Sequence, residues 1–102
     1  MTRYKRTDNI QTEVVHALRE LGATVKVVSS FGKALPDLLV GFKGLNFLLE
    51  VKSHKRAKLT RAQKTFFKDW RGQVTVVYSP QEAIELLTTY RQDRLRLYQD
   101  KA

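Results

Sequence analysis

Residues 35–54 read LPDLLVGFKGLNFLLEVKSH, and the placing of the charged residues in this stretch decides the fold. Two apolar runs, 37–42 and 45–52, are separated by Lys43-Gly44, a gap short enough for a β-hairpin. Asp37 opens the first run, and Glu50 and Lys52 close the second. Alternate side chains of a strand share a face, so Leu48, Glu50 and Lys52 point one way while Phe47, Leu49 and Val51 point the other. One face of the sheet stays apolar, the other turns polar, and the hairpin brings Asp37 beside Glu50.

Two carboxylates that close repel each other unless a cation lies between them. Their hard oxygens suit Mg²⁺ or Mn²⁺, with waters and backbone carbonyls completing an octahedron. A lysine beside them can hold a phosphate oxygen, or orient and deprotonate an attacking water. Metal, lysine and a basic surface together describe phosphodiester hydrolysis. Each element alone has a plainer explanation: Pro36-Asp37 as a turn, and Glu50 with Lys52 as a solvated strand edge. Their joint spacing points to chemistry.

Outward from this stretch the pattern alternates between helix and strand. Residues 8–21, DNIQTEVVHALREL, place Ile10, Val14, Ala17, Leu18 and Leu21 at helical spacing. Asp8 is the expected N-cap, with Gln11 three residues on, and Gly22 the expected stop. TVKVVS (24–29) reads as a strand and SFGKAL as a loop. The basic loop SHKRAK precedes a second helix, LTRAQKTFFKDW, with Thr60 at its N-cap. Ala62, Phe66, Phe67 and Trp70 form its apolar face, which is expected to join the core rather than stack on bases. QVTVVYS (73–79) is another strand. SPQEAIELL then opens a third helix, with Ser79 as N-cap, Pro80 first in the helix and Glu82 closing a capping box. The tail from 88 to 102 either continues that helix through Leu95 and Leu97 or frays; Tyr90 and Tyr98 beside them offer a dimer seam. The expected class is α/β, in the order α-β-β-β-α-β-α, with a mixed sheet flanked by helices.

Bulk properties bound the function. A chain of 102 residues, 42% hydrophobic and 28% charged, is expected to form one globular domain with no separate regulatory unit. No apolar run approaches the ~18–20 residues of a membrane span. MTRYKRTDNIQ has no apolar stretch behind its basic residues, so no secretory signal is expected. The absence of cysteine excludes disulfides and thiolate metal sites and fits an intracellular setting. Nineteen Lys and Arg against ten Asp and Glu leave a net charge of +9, with a pI near 10.1. Between Val51 and Gly72 stand eight basic residues (Lys52, Lys55, Arg56, Lys58, Arg61, Lys64, Lys68, Arg71) and one acid, Asp69. That concentration favours a phosphate-facing surface over a merely solvated one. Ser29, Ser30 and Lys33, in the loop leading to Asp37, are further candidates for DNA contact. His16 and His54 show no metal-ligand spacing.

Pro36-Asp37, twelve intervening residues and then Glu50-Val51-Lys52 resemble the PD-(D/E)XK nuclease pattern. The surrounding detail resembles the small stand-alone VRR-NUC branch, the virus-type replication-repair nucleases. Its pieces here are Glu13 in the first helix, Gly32 before Pro36-Asp37, Glu50-Val51-Lys52, and Leu59-Thr60 with Gln63, spanning residues 8 to about 87. The resemblance implies a restriction-endonuclease-like αβββαβ core and one nuclease domain over 1–102, with 88–102 as a helical extension or tail. It implies metal-dependent cleavage of DNA, often branched, by homodimers like Holliday-junction resolvases. By carry-over, Asp37 and Glu50 bind metal, the Val51 carbonyl and Glu13 are further ligands, Lys52 is catalytic, and Gln63 positions water or phosphate. Glu13 can equally be an exposed helix acid, and Gln63 a capping-box glutamine. Nucleic-acid contacts are expected from Ser30, Lys33, Lys55, Arg56, Lys58, Arg61 and Lys64. No small-molecule cofactor and no membrane partner are expected. Compact size and the resemblance suit a phage setting, in a bacterial cytoplasm or infected host cell. The competing classes are an inactive basic nucleic-acid-binding module of the same fold, and a basic assembly protein that binds RNA.

Overall fold

A computed structural model describes residues 6–89. Helix α1 (Thr7–Leu21) leads into strand β1 (Thr24–Val27), a 3₁₀ turn (Ser29–Phe31), β2 (Leu38–Phe42), β3 (Leu45–Val51), α2 (Arg61–Asp69) and β4 (Thr75–Val77). A third helix, α3, covers residues 80–89. The expectations for Tyr90, Leu95, Leu97 and Tyr98 lie outside the described residues. None of the described helices is long and apolar enough to cross a membrane.

The four strands form one mixed sheet in the order β1-β2-β3-β4. The first two pairings are antiparallel and the last, reached through α2, is parallel. Phe42 pairs with Leu45, which leaves Lys43-Gly44 as a two-residue turn. Both turn residues have positive φ, 49° and 88°. That is what a hairpin turn matched to strand twist needs, and Gly44 supplies it without steric cost. Gly22, at φ 105°, ends α1 in the left-handed conformation, and its N–H reaches back to the last turn.

One face of the sheet is dry. Ile10, Val14 and Leu18 on α1 pack with Val25, Leu38, Val40, Phe47, Leu49, Val51 and Val77, and Ala83 and Leu87 of α3 complete the cluster. Fully burying each large aliphatic side chain contributes roughly 1.5–3 kcal/mol, so this layer is the main source of stability.

The structure corrects four local expectations. Arg6, not Asp8, is the N-cap of α1, and it makes no side-chain cap bond. The first strand stops at Val27, because the chain turns into the 3₁₀ segment at Ser29. Ser79 caps α3 by accepting from Glu82 N–H (3.1 Å), but Glu82 Oε1 accepts from Tyr78 N–H (2.9 Å) instead of closing back on Ser79. Finally, α2 buries no residue, and Trp70 is 45% exposed. Its apolar stripe therefore does not join the core. Polar contacts at its two ends hold α2 against the outer face. At the far end, Trp70 Nε1 donates to Gln73 O (3.1 Å). Gln73 Oε1 in turn accepts from Leu48 N–H (2.8 Å), completing the ladder just before β4 begins.

Candidate active site

The site forms where β2 runs out before β3 does. The last β2–β3 pair is Leu38 with Leu49. One step further the register sets Asp37 opposite Glu50 and Pro36 opposite Val51. Proline has no N–H to donate and is fully buried here. Asp37 takes over: Val51 N–H donates to its Oδ2 at 2.8 Å. Its own carbonyl accepts from Val28 N–H (2.8 Å), which fixes the backbone from the β1 side. On the far side of β3, Lys52 N–H donates to Val77 O (3.1 Å). Asp37, Glu50 and Lys52 thus stand on backbone held from both directions.

Alternation along β3 is as the sequence predicts. Phe47, Leu49 and Val51 are buried in the core, while Glu50 and Lys52 face the opposite side. Glu50 is nevertheless only 2% exposed, the one buried charged residue among those described. Lys52 Nζ lies 3.4 Å from Glu50 Oε2. Gln63, from the first turn of α2, bridges the pair: its Nε2 donates to Glu50 Oε2 (2.9 Å) and its Oε1 accepts from Lys52 Nζ (3.1 Å). The same Oε1 accepts from Thr60 N–H (2.9 Å), and Gln63 N–H donates to Thr60 Oγ1 (3.1 Å). The amide cannot be flipped, since its NH₂ would then meet two donors. A capping box and a site contact share one side chain.

The electrostatics are strained. Burial lifts the Glu50 carboxyl above the usual range, and Asp37 lifts it further; Lys52 only partly offsets this, and the group is pushed up to about 7. Asp37 is also raised by burial, with the Val51 N–H and Lys52 pulling the other way. Glu50 Oε1 is buried without a hydrogen-bond partner among the described atoms. Buried acceptors are normally satisfied, so an orphaned carboxylate oxygen beside a second carboxylate has the character of an incomplete cation site.

Among the described residues, no group of three or more His, Cys, Asp or Glu gathers as a metal cage. Glu13, half-buried on α1, is thus not brought together with Asp37 and Glu50. Ser30 and Lys33 are exposed in the loop entering Asp37, and Arg56, Lys58, Arg61 and Lys64 are exposed between β3 and the middle of α2. Lys55 is turned aside: its Nζ lies 3.7 Å from Glu82 Oε2 and 5.6 Å from the Tyr78 ring centre.

A solved structure described as a VRR_NUC domain superposes on this chain with a TM-score of 0.69, at 27% sequence identity, covering 82% of this chain and 96% of the other. The fold is that of a VRR_NUC domain. No protein-family model matches the sequence, and no curated protein does. The mixed four-stranded sheet with its helices is accordingly a restriction-endonuclease-like fold, and the domain is of a nuclease type. Within this fold, sequence reasoning singled out Asp37, Glu50, Lys52 and Gln63. It missed the Val51 N–H as Asp37's anchor, because a bond between residues fourteen apart in the chain has no local signal.

Proposed function

We propose that this VRR-NUC-type domain is a Mg²⁺- or Mn²⁺-dependent DNA endonuclease that acts on branched DNA. The supporting observation is the buried Glu50 with its unpartnered Oε1 beside Asp37. The donor set fits a hard divalent cation: two carboxylates, the adjacent Val51 carbonyl and water. When bound, such a cation supplies Lewis-acid polarisation of the phosphoryl group and an acidified water. The chain's own residues do the rest. Lys52 holds the attacking water or a non-bridging phosphate oxygen, and charge-assisted contact of this kind stabilises the developing negative charge. Gln63 keeps the Lys52 ammonium and the Glu50 carboxylate in register, from a helix whose cap it also forms. Ser30, Lys33, Arg56, Lys58, Arg61 and Lys64 receive phosphates along the strand. Paired cuts across a four-way junction would need two copies of the site, hence a symmetric homodimer. A cysteine-free, strongly basic chain suits an intracellular setting with DNA at hand.

The test is cleavage of labelled four-way junction, flap, gapped duplex, plain duplex and single strand, with Mg²⁺, Mn²⁺ or EDTA. Metal-dependent cutting is expected, abolished in Asp37→Ala while DNA binding in EDTA is retained. Binding without cutting under either metal would leave a binding module of the same fold and overturn the proposal.

A further inference from the structure

We infer that the groove alongside α2 is a seat for an unpaired nucleobase of the bound strand, stacked on Trp70. The groove is open to solvent, has a volume of about 690 Å³ and is lined by Ala34 of the loop before β2, by Arg61, Ala62, Thr65 and Phe66 of α2, and by Trp70 at the C-cap of that helix. That volume falls within the ~300–1,000 Å³ of small-molecule clefts. The identification of the partner as DNA rests on the function proposed above; the base-binding role goes beyond it.

Three observations carry the inference. The first is an apolar stripe left without a core. None of the α2 residues is buried, although Phe66 and Trp70 sit on one helix face, where such side chains ordinarily pack inward. The second is a platform already in place. The Phe66 and Trp70 rings stack at 5.1 Å and 17°, and the Trp70 Nε1 bond to Gln73 O fixes the indole. Gly72 makes room for it, since a Cβ there would meet Trp70 Nε1 at 2.8 Å. An aromatic surface held still in advance loses little freedom when a base stacks on it. The third is position. Gln63 touches the catalytic acid and lysine, and Phe66 and Trp70 follow it by one and two helical turns, roughly 5 and 10 Å along the axis. A strand with its phosphate at Glu50 and Lys52 therefore carries its neighbouring bases past the groove.

Charge decides which occupant fits. Arg61 lines the groove, and Lys64, Lys68 and Arg71 are exposed elsewhere on α2 and just beyond it, on a chain of net charge +9. A second copy docked here would set these cations against their own images; a nucleic acid brings phosphates to them. Asp69 also lines the groove. It repels phosphate but can accept from the amino group of a base. Fully paired duplex keeps its bases stacked, so the groove selects flaps, gaps and single strands.

Trp70 is the sole tryptophan, which makes it its own reporter. The full chain is titrated in EDTA with duplex, gapped duplex, and gapped duplex whose unpaired positions are abasic, following tryptophan fluorescence and DNA anisotropy. Quenching is expected with unpaired bases, and none with duplex or abasic DNA of equal phosphate count. Trp70→Leu, checked by circular dichroism, should lose about tenfold in affinity for gapped DNA and keep its duplex affinity and salt slope. Trp70→Phe should keep most of the preference. Equal quenching by all three DNAs, or an unchanged preference in Trp70→Leu, would overturn the inference. So would sedimentation showing a dimer that Trp70→Leu dissociates, which would give the groove to a second copy. Because no cutting is involved, quenching without nuclease activity would sink only the enzyme reading, and Asp37-dependent cutting without quenching only this one.

Discussion

Glu50 is held where its ionised form is penalised, and the consequence for stability can be worked out with its sign. Its carboxyl is raised from 4.5 to about 7 in the folded protein. Below about 4.5 it is protonated in both folded and unfolded chains and has no effect. As pH rises from there to about 7, the unfolded chain gives up the proton first, so the folded state loses ground. Above 7 the loss is constant, on the order of 3 kcal/mol. Metal-free protein should therefore resist urea better at pH 5 than at pH 8. Glu50→Gln, which leaves nothing to ionise, should flatten that difference and gain stability at pH 8 in EDTA while losing cleavage. Adding Mg²⁺ should stabilise the natural chain more at pH 8 than at pH 5, because the cation and the proton compete for the same oxygens. Denaturant midpoints at the two pH values, with and without metal, check this; a midpoint that rises with pH in EDTA would contradict it. The direction of the Glu50 side chain was legible in the sequence, since strand alternation is local. Its near-complete burial was not, because that depends on Gln63 of α2, thirteen residues along the chain, reaching over it.

Element by element, legibility follows the range of the interactions. The stop at Gly22, the Lys43-Gly44 turn and the Thr60–Gln63 capping box are set by residues within a few positions of each other, and the structure contains all three. The hairpin fixes register, so Asp37 beside Glu50 followed from its two-residue loop. The apolar face of α2 was misplaced because helical periodicity reports that a stripe exists and says nothing of what covers it. Helix α2 is instead fastened by Gln63 at one end and Trp70 at the other, and this makes Gln63 the informative position to change. Gln63→Ala removes half of the capping box, costing about 1 kcal/mol, and also removes the amide that bridges Lys52 and Glu50, leaving only their direct 3.4 Å contact. Gln63→Glu can still accept from Thr60 N–H, but sets a third carboxylate against Glu50. The expected results are a lower Tm with cleavage reduced at least tenfold for Gln63→Ala, and for Gln63→Glu a Tm near normal at pH 5 that falls at pH 8, with cleavage reduced as much. Thermal melts beside single-turnover rates separate cap from site. A Gln63→Glu rate equal to that of the natural chain would confine Gln63 to capping.

At the scale of the molecule, the dry and the charged faces of one sheet divide the work, with the core on the α1 side and the cations and carboxylates on the α2 side. Phosphate binding by such a surface releases counterions, so DNA affinity in EDTA should fall steeply between 50 and 200 mM salt, with a logarithmic slope of about −0.9 for each phosphate engaged. The cations are not equivalent, however. Arg56, Lys58, Arg61 and Lys64 are exposed, and replacing any one with alanine should shallow the slope by about 0.9. Lys55 was grouped with them on sequence grounds, but it faces Glu82 at 3.7 Å and the Tyr78 ring. To reach a phosphate it must leave both. An exposed ion pair is worth little, roughly 0–1 kcal/mol, so the pairing lowers Lys55's share without cancelling it. Lys55→Ala should accordingly change the slope by clearly less than Arg56→Ala, and Glu82→Gln, which frees Lys55, should strengthen binding and steepen the slope. Anisotropy titrations of the three variants across that salt range would show the ranking. Equal slopes for Lys55→Ala and Arg56→Ala would mean that the Glu82 contact gives way when DNA arrives, and that local charge density, not side-chain placement, governs how this face meets its substrate.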